Sequence, residues 1–126
     1  MDNEKFYCMI VGTRTFNDYG FLKRKADYYL QNHKADTVIV SGGARGTDSL
    51  ARCYAEEKGY EYHEFPADWN TYGKSAGYKR NEEMHRFIAG HENRGVIAFW
   101  DGQSRGTKQN FDLARRYGNQ IIICNI

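Results

Sequence analysis

A chain of 126 residues with 40% apolar and 27% charged side chains can bury its own core without disulfides or structural metal, which predicts one soluble domain over residues 1–126. Its formal charge of +2 is too small to mark a nucleic-acid binder by composition, so any positive field must be local. No apolar run nears the roughly 20 residues of a membrane span, and Met1 to Lys5 lacks a signal peptide's basic and then apolar order, which predicts a cytoplasmic protein with no membrane partner.

The first strand is predicted at Phe6 to Val11, leading into the turn Gly12-Thr-Arg-Thr-Phe16. Leu22, Ala26, Tyr29 and Leu30 then repeat at helical spacing. A second strand, Thr37 to Val40, runs into a glycine-rich turn, and the stripe Leu50, Ala51, Tyr54, Ala55 gives a second helix that stops at Gly59. Tyr60 to Phe65 alternates like a half-exposed edge strand. Pro66 to Gly77 holds the only proline and is expected to be a long, functional loop.

Met84, Phe87, Ile88 and His91 predict a third helix, Gly95 to Phe99 a strand, Phe111, Ala114 and Tyr117 a fourth helix closed by Gly118, and Gln120 to Cys124 the last strand. This alternation predicts an α/β fold, a Rossmann-like three-layer α/β/α arrangement with a five-stranded, mainly parallel sheet in the order 3-2-1-4-5. Cys8, Cys53 and Cys124 form no C-x-x-C pair and are expected as buried free thiols. No pair of histidines has metal-ligand spacing, so no metal, no other cofactor and no histidine triad is expected.

The strongest local signal is Val38-Ile-Val-Ser-Gly-Gly-Ala-Arg-Gly-Thr-Asp48, a β-branched strand that meets glycines and then opens a helix. Gly42, Gly43 and Gly46 allow close approach by a phosphate, and the helix start adds about half a positive charge. Thr47 and Asp48 are candidate caps. The pattern is neither G-x-G-x-x-G nor a Walker loop; its plainer alternative is a capped strand-to-helix turn. A shorter version, Ala98-Phe-Trp-Asp-Gly-Gln-Ser-Arg-Gly-Thr107, repeats Arg-Gly-Thr as Arg105-Gly106-Thr107 after Arg45-Gly46-Thr47. With Gly12 to Phe16, three such turns would meet at the switch point of the predicted sheet.

Arg80 and Asn81 lie four and three residues before Met84 and so continue that helix's buried face toward its N-terminus. Arg80 would clamp a phosphate or carboxylate and Asn81 a base or ribose; alternatively, both pair with Glu82, Asp101 or loop carbonyls. Arg14, beside Gly12, has the same two roles open to it. Trp100 is placed to stack on a base, with Trp69 or Tyr72 folding over from the long loop, and packing is the alternative for all three. Asp48 and Asp101 are the carboxylates that neighbouring turns bring toward each other, as candidate acid-base or ribosyl-stabilising groups, with capping and ribose binding the plainer roles of Asp48.

Gly12-Thr-Arg-Thr-Phe16, Ser41-Gly-Gly-Ala-Arg-Gly-Thr-Asp48, Ala76-Gly-Tyr-Lys-Arg-Asn-Glu-Glu-Met84 and Phe99-Trp-Asp-Gly-Gln-Ser-Arg-Gly-Thr107 together resemble the YspA-like, YpsA-related family of the SLOG superfamily. The resemblance implies a Rossmann-like sheet and a pocket for nucleotides or nucleotide-derived signals. That pocket would be built from Gly12, Arg14, Ser41, Gly42, Gly43, Ala44, Arg45, Gly46, Thr47, Asp48, Arg80, Asn81 and the Asp101 to Thr107 turn with its Ser104, Gly106 and Thr107; Phe16 and Trp100 complete the expected ligand-binding set. It also implies self-association, as a homodimer or higher homo-oligomer.

In the related LOG branch, hydrolysis of a nucleotide's N-glycosidic bond uses Pro-Gly-Gly-x-Gly-Thr-x-x-Glu. Here Ser41 stands for the proline, and no glutamate follows at Leu50 or Ala51. The DprA/Smf branch carries Ser-Gly-x-Ala-x-Gly-Ile-Asp, which Ser41 to Asp48 resembles except at Thr47, and that branch binds single-stranded DNA. The expectation is a domain that senses, sequesters or processes a nucleotide-like small molecule, with N-glycosidic or phosphoribosyl hydrolysis and single-stranded nucleic-acid binding as alternatives.

Overall fold

In the computed structural model, which describes residues 5–33 and 36–126, strand β1 (Phe6–Gly12) is buried on both faces, as a central parallel strand must be. Phe6, Cys8 and Ile10 point to one apolar cluster and Tyr7, Met9 and Val11 to the other. Strands β2 (Thr37–Ser41), β3 (Glu61–Glu64), β4 (Arg94–Trp100) and β5 (Ile121–Asn125) complete a sheet in the order β3-β2-β1-β4-β5, with every neighbouring pair parallel. In this register Cys8 stands between Ile39 and Gly95. The half-polar β3 lies at an edge, as its alternation predicts.

Helices α1 (Tyr19–Leu30) and α2 (Thr47–Lys58) bury Leu22, Ala26, Leu30, Ala51, Tyr54 and Ala55 against one face of the sheet. After the short α3 (Trp69–Tyr72), α4 (Ala76–Ala89) and α5 (Arg105–Tyr117) cover the opposite face through Met84, Ile88, Phe87 and Phe111. Gly59 and Gly118 end α2 and α5 in the left-handed conformation, each amide returning to the preceding turn. No helix among the described residues is long and apolar enough to cross a membrane.

Three local expectations are corrected. The stretch from Pro66 to Gly77 is not one irregular loop: Asp68 caps α3 by accepting from the Thr71 amide at 3.1 Å, and a 3₁₀ turn, Gly73–Ser75, carries the chain into α4. A four-residue helix is too short to display a period. His91 lies beyond the end of α4 at Gly90 and stacks on Tyr7 at 3.7 Å. Cys53 is exposed while Cys8 is buried and Cys124 intermediate, because Ala51, Tyr54 and Ala55 already occupy the sheet-facing stripe of α2.

Candidate functional site

The turns after β1, β2 and β4 are tied together through Thr13. Its carbonyl accepts from the Thr47 amide at 3.2 Å and from the Thr47 hydroxyl at 2.9 Å. Its own hydroxyl accepts from the Asp101 amide at 3.2 Å, and its amide donates to the Phe99 carbonyl at 2.9 Å. Such closeness needs small residues. A Cβ on Gly12 would stand 2.6 Å from the Thr47 hydroxyl and 2.4 Å from the Phe99 carbonyl.

Between these turns and the start of α4 lies a cleft of about 490 Å³. The β1 turn supplies Gly12, Thr13, Arg14 and Thr15; the β2 turn and α2 supply Ala44 and Asp48; the β4 turn and α5 supply Asp101, Ser104, Gly106, Thr107 and Asn110. Gly77, Tyr78, Arg80 and Asn81 enter from α4, and Trp69 and Lys74 from the segment before it. Three helices therefore bring their N-terminal turns to one hollow, where the helix dipoles favour an anion. Three cations, Arg14, Lys74 and Arg80, face two carboxylates, Asp48 and Asp101.

Arg80 and Asn81 are buried, as the pattern of α4 predicts. The Arg80 guanidinium donates to the Gly42 carbonyl at 2.7 Å, to the Phe65 carbonyl at 3.4 Å and to Asn81 Oδ1 at 3.0 Å. Asn81 Nδ2 donates to the Gly106 carbonyl at 3.3 Å and to Gln109 Oε1 at 3.0 Å. The partners are therefore loop carbonyls and Gln109, while Glu82 turns away to Tyr117, Arg116 and Arg86. Asn81 spends its hydrogen bonds on positioning Arg80 and the α5 turn.

Asp48 is nearly buried and accepts from the Ala44 amide at 3.2 Å. Burial lifts its carboxyl above the usual carboxylate range, against the opposing pull of Arg80, the Ala44 amide, the Ser41 hydroxyl and Arg14. Burial also lowers Arg80 from its ordinary value, and Asp48 opposes that shift. Both groups close on Gly42, where an added Cβ would meet Arg80 Nη1 at 2.3 Å and Asp48 Oδ2 at 2.8 Å. Asp101 is held in the opposite sense: the Gln103 and Ser104 amides, each donating to it at 2.8 Å, keep its carboxyl below the usual range.

Other expected site residues serve the walls. Ser41 is buried and donates to the Ile10 carbonyl at 2.6 Å. Gly46 is the N-cap of α2, with no side-chain cap from Thr47 or Asp48, because Thr47 is drawn toward Thr13 and Asp48 toward Ala44. Gly43 lies against Glu64, and Arg45 is exposed, outside the cleft lining. Phe16 stacks on Phe99 at 5.5 Å. Trp100 packs edge-on against Phe111 at 5.1 Å and donates its indole N–H to the Ser104 carbonyl at 3.0 Å, so it serves packing and lies outside the cleft lining. Trp69 does reach the cleft, with the Arg14 guanidinium 5.7 Å from its ring centre.

The turns also offer fewer open amides than their glycines suggest. Ala44 N–H is bound by Asp48, Thr47 N–H by Thr13 and Thr107 N–H by Ser104 Oγ at 3.3 Å. Loops this close must satisfy their own polar groups first. Sequence reasoning passed over Thr13, Thr15, Lys74, Tyr78 and Asn110. Asn110 was open to the argument used for Arg80, since it lies three residues after Thr107 on the buried face of α5.

Comparison with known proteins agrees with this architecture. Residues 8–72 match the YAcAr family, described as the YspA, cpYpsA-related SLOG family. The chain is 34% identical over 121 residues to the Gene 61 protein of Mycobacterium phage D29, covering 90% of this chain and 92% of that one. Its fold is similar to the X-ray structure of DNA processing protein A (DprA) from Streptococcus pneumoniae, with a TM-score of 0.64 and 21% identity. That likeness covers 97% of this chain and 51% of DprA, so the chain spans about half the length of that protein. The chain belongs to the YspA, cpYpsA-related SLOG family.

Proposed function

We propose that the cleft binds a nucleotide or nucleotide-derived ligand, with its phosphate at the N-terminal turns of α2 and α5 and its ribose beside Asp48. The observation that carries this is the convergence of three helix N-termini and three cations on one hollow of about 490 Å³, a volume within the usual range for small-molecule sites. Arg14 and Arg80 are the neutralising groups. Trp69, half-exposed at the mouth, offers a flat face for a base.

A second reading rests on the opposed shifts of Asp48 and Asp101. Environments that drive two carboxyls apart separate an acid from an ionised partner. In N-glycosidic or phosphoribosyl hydrolysis, Asp48 would protonate the leaving group and Asp101 would stabilise an oxocarbenium-like ribosyl centre.

Calorimetry and thermal shift with mononucleotides, ADP-ribose and cyclic dinucleotides test the first reading, because a ligand selective for the folded state raises its stability. Binding that Arg14→Ala weakens is expected; silence across the panel overturns it. Chromatography of the same mixtures yields free base only under the second reading, and Asp48→Asn then abolishes it. Strongly salt-dependent retention of an oligonucleotide, without mononucleotide binding, would assign the cleft to single-stranded nucleic acid instead.

A further inference from the structure

A chain of polar groups runs beneath the cleft between α4, α5 and the far end of the sheet, from the half-buried Arg94 through the buried Asn119 and His85 to Asn110. His85 is fully buried and both asparagines nearly so. Each orientation along it is fixed by a group that can act in only one way. A guanidinium only donates, so the Arg94 Nε contact at 2.5 Å turns Asn119 Oδ1 toward it. Asn119 Nδ2 then faces the His85 carbonyl, an acceptor only, at 3.2 Å, and His85 Nδ1 at 3.1 Å.

His85 Nδ1 must therefore accept, which leaves the ring proton on Nε2. Nε2–H donates to Asn110 Oδ1 at 3.0 Å. At the far end, the Gly106 carbonyl accepts from Asn110 Nδ2 at 3.3 Å, a longer contact that favours the same amide orientation. A flipped Asn110 would oppose donor to donor at His85 and acceptor to acceptor at Gly106.

Asn110 also lines the cleft, and the Gly106 carbonyl is the one acceptor that the described residues offer its two Nδ2 hydrogens. We propose that Asn110 determines specificity in the cleft: its second Nδ2 hydrogen reads an acceptor atom of the bound ligand, and Asn119 and His85 are positioning residues that stop the amide from presenting its oxygen. This rests on the cleft being the ligand site. The ligand class is narrowed accordingly to one with a phosphate oxygen, carbonyl or unprotonated ring nitrogen at that point. A ligand with an amino group there is rejected, because two donors would be buried face to face.

The test has one arm that needs no ligand. Long-range ¹⁵N–¹H correlation of the His85 ring at neutral pH is expected to show the proton on Nε2 in the wild type and a mixture of tautomers in Asn119→Ala; an Nδ1-protonated ring in the wild type overturns the relay. In the second arm, calorimetry with AMP and ADP-ribose as probes is expected to show at least about tenfold weaker binding by Asn110→Asp and Asn110→Ser, the loss of one buried hydrogen bond, and a smaller loss in Asn119→Ala. The serine variant serves if the aspartate variant fails to fold. Wild-type binding that both Asn110 variants retain overturns the donor role alone. Failure of the wild type to bind either probe overturns the cleft assignment and the donor role together, while the tautomer still judges the relay.

Discussion

The backbone of Arg14 occupies the space where Gly46 would carry a side chain: a Cβ there would stand 2.3 Å from the Arg14 carbonyl oxygen and 2.6 Å from its Cα. Gly46 also holds φ at +75°, a conformation that other residues adopt at a cost. Gly46→Ala combines left-handed strain with a backbone collision, and the two turns must part to relieve it. The expected loss is about 3 kcal/mol or more, read by urea denaturation. A loss below about 1 kcal/mol, the size of an ordinary surface change, would show that the turns are not locked together.

Thr47 is wholly buried, and its hydroxyl donates to the Thr13 carbonyl, which also accepts from the Thr47 and Phe16 amides. Thr47→Val keeps the shape and removes that donor, so stability should fall by about 1–2 kcal/mol. Thr47→Ser keeps the hydroxyl and loses a methyl group, with a loss of about 1 kcal/mol. Equal, negligible losses in both variants would mean that the hydroxyl does not couple the turns.

Burial disfavours the ionised form of Asp48. Burial raises its carboxyl pKa in the folded state, so the fold prefers the neutral form, and stability rises as pH falls through the folded value toward the unfolded one. Asp48→Asn should therefore melt no lower than wild type at pH 7 and higher if burial dominates, while any ligand bound through the carboxylate is lost. A lower melting temperature at pH 7 with unchanged ligand binding would assign Asp48 to the fold alone.

His85 acts in the opposite direction. Burial drops it from the ordinary 6.5 to about 4, so the unfolded chain takes up a proton that the native core refuses. Its contribution is complete above pH 6.5 and is lost as pH falls from there to about 4, on the order of 3 kcal/mol at about 1.4 kcal/mol per unit. Denaturation curves at pH 7, 5.5 and 4.5 should show the decline in wild type and a flatter profile in His85→Gln. A parallel decline in both would remove His85 as its cause.

The strands, the helix stripes and the three glycine turns were legible in the sequence, because strands buried on both faces read as apolar runs ended by turn residues and burial imposes a period of about 3.6 on helices; the strand order followed from the alternation of strands and helices. Arg80 and Asn81 were found by the same logic: a polar residue on an apolar stripe must meet a partner. The sequence could not say which partner. Whether Arg80 meets Glu82, Asp101 or a loop carbonyl depends on how far α4 sits from the β2 turn, and the answer is the carbonyls of Gly42 and Phe65.

Local pattern determined the individual strands and helices, since each is set by a residue's near neighbours along the chain. Tertiary structure alone decided that Thr13 gathers the turns, that several glycine-turn amides are already bound, that Trp100 packs inward while Trp69 reaches the cleft, and that His85 fixes Asn110. Those contacts join residues such as Asn110 and His85, 25 positions apart, or Thr13 and Asp101, 88 apart. Hydrogen bonds over such separations depend on fractions of an ångström between packed elements, and no periodicity in a sequence encodes that distance.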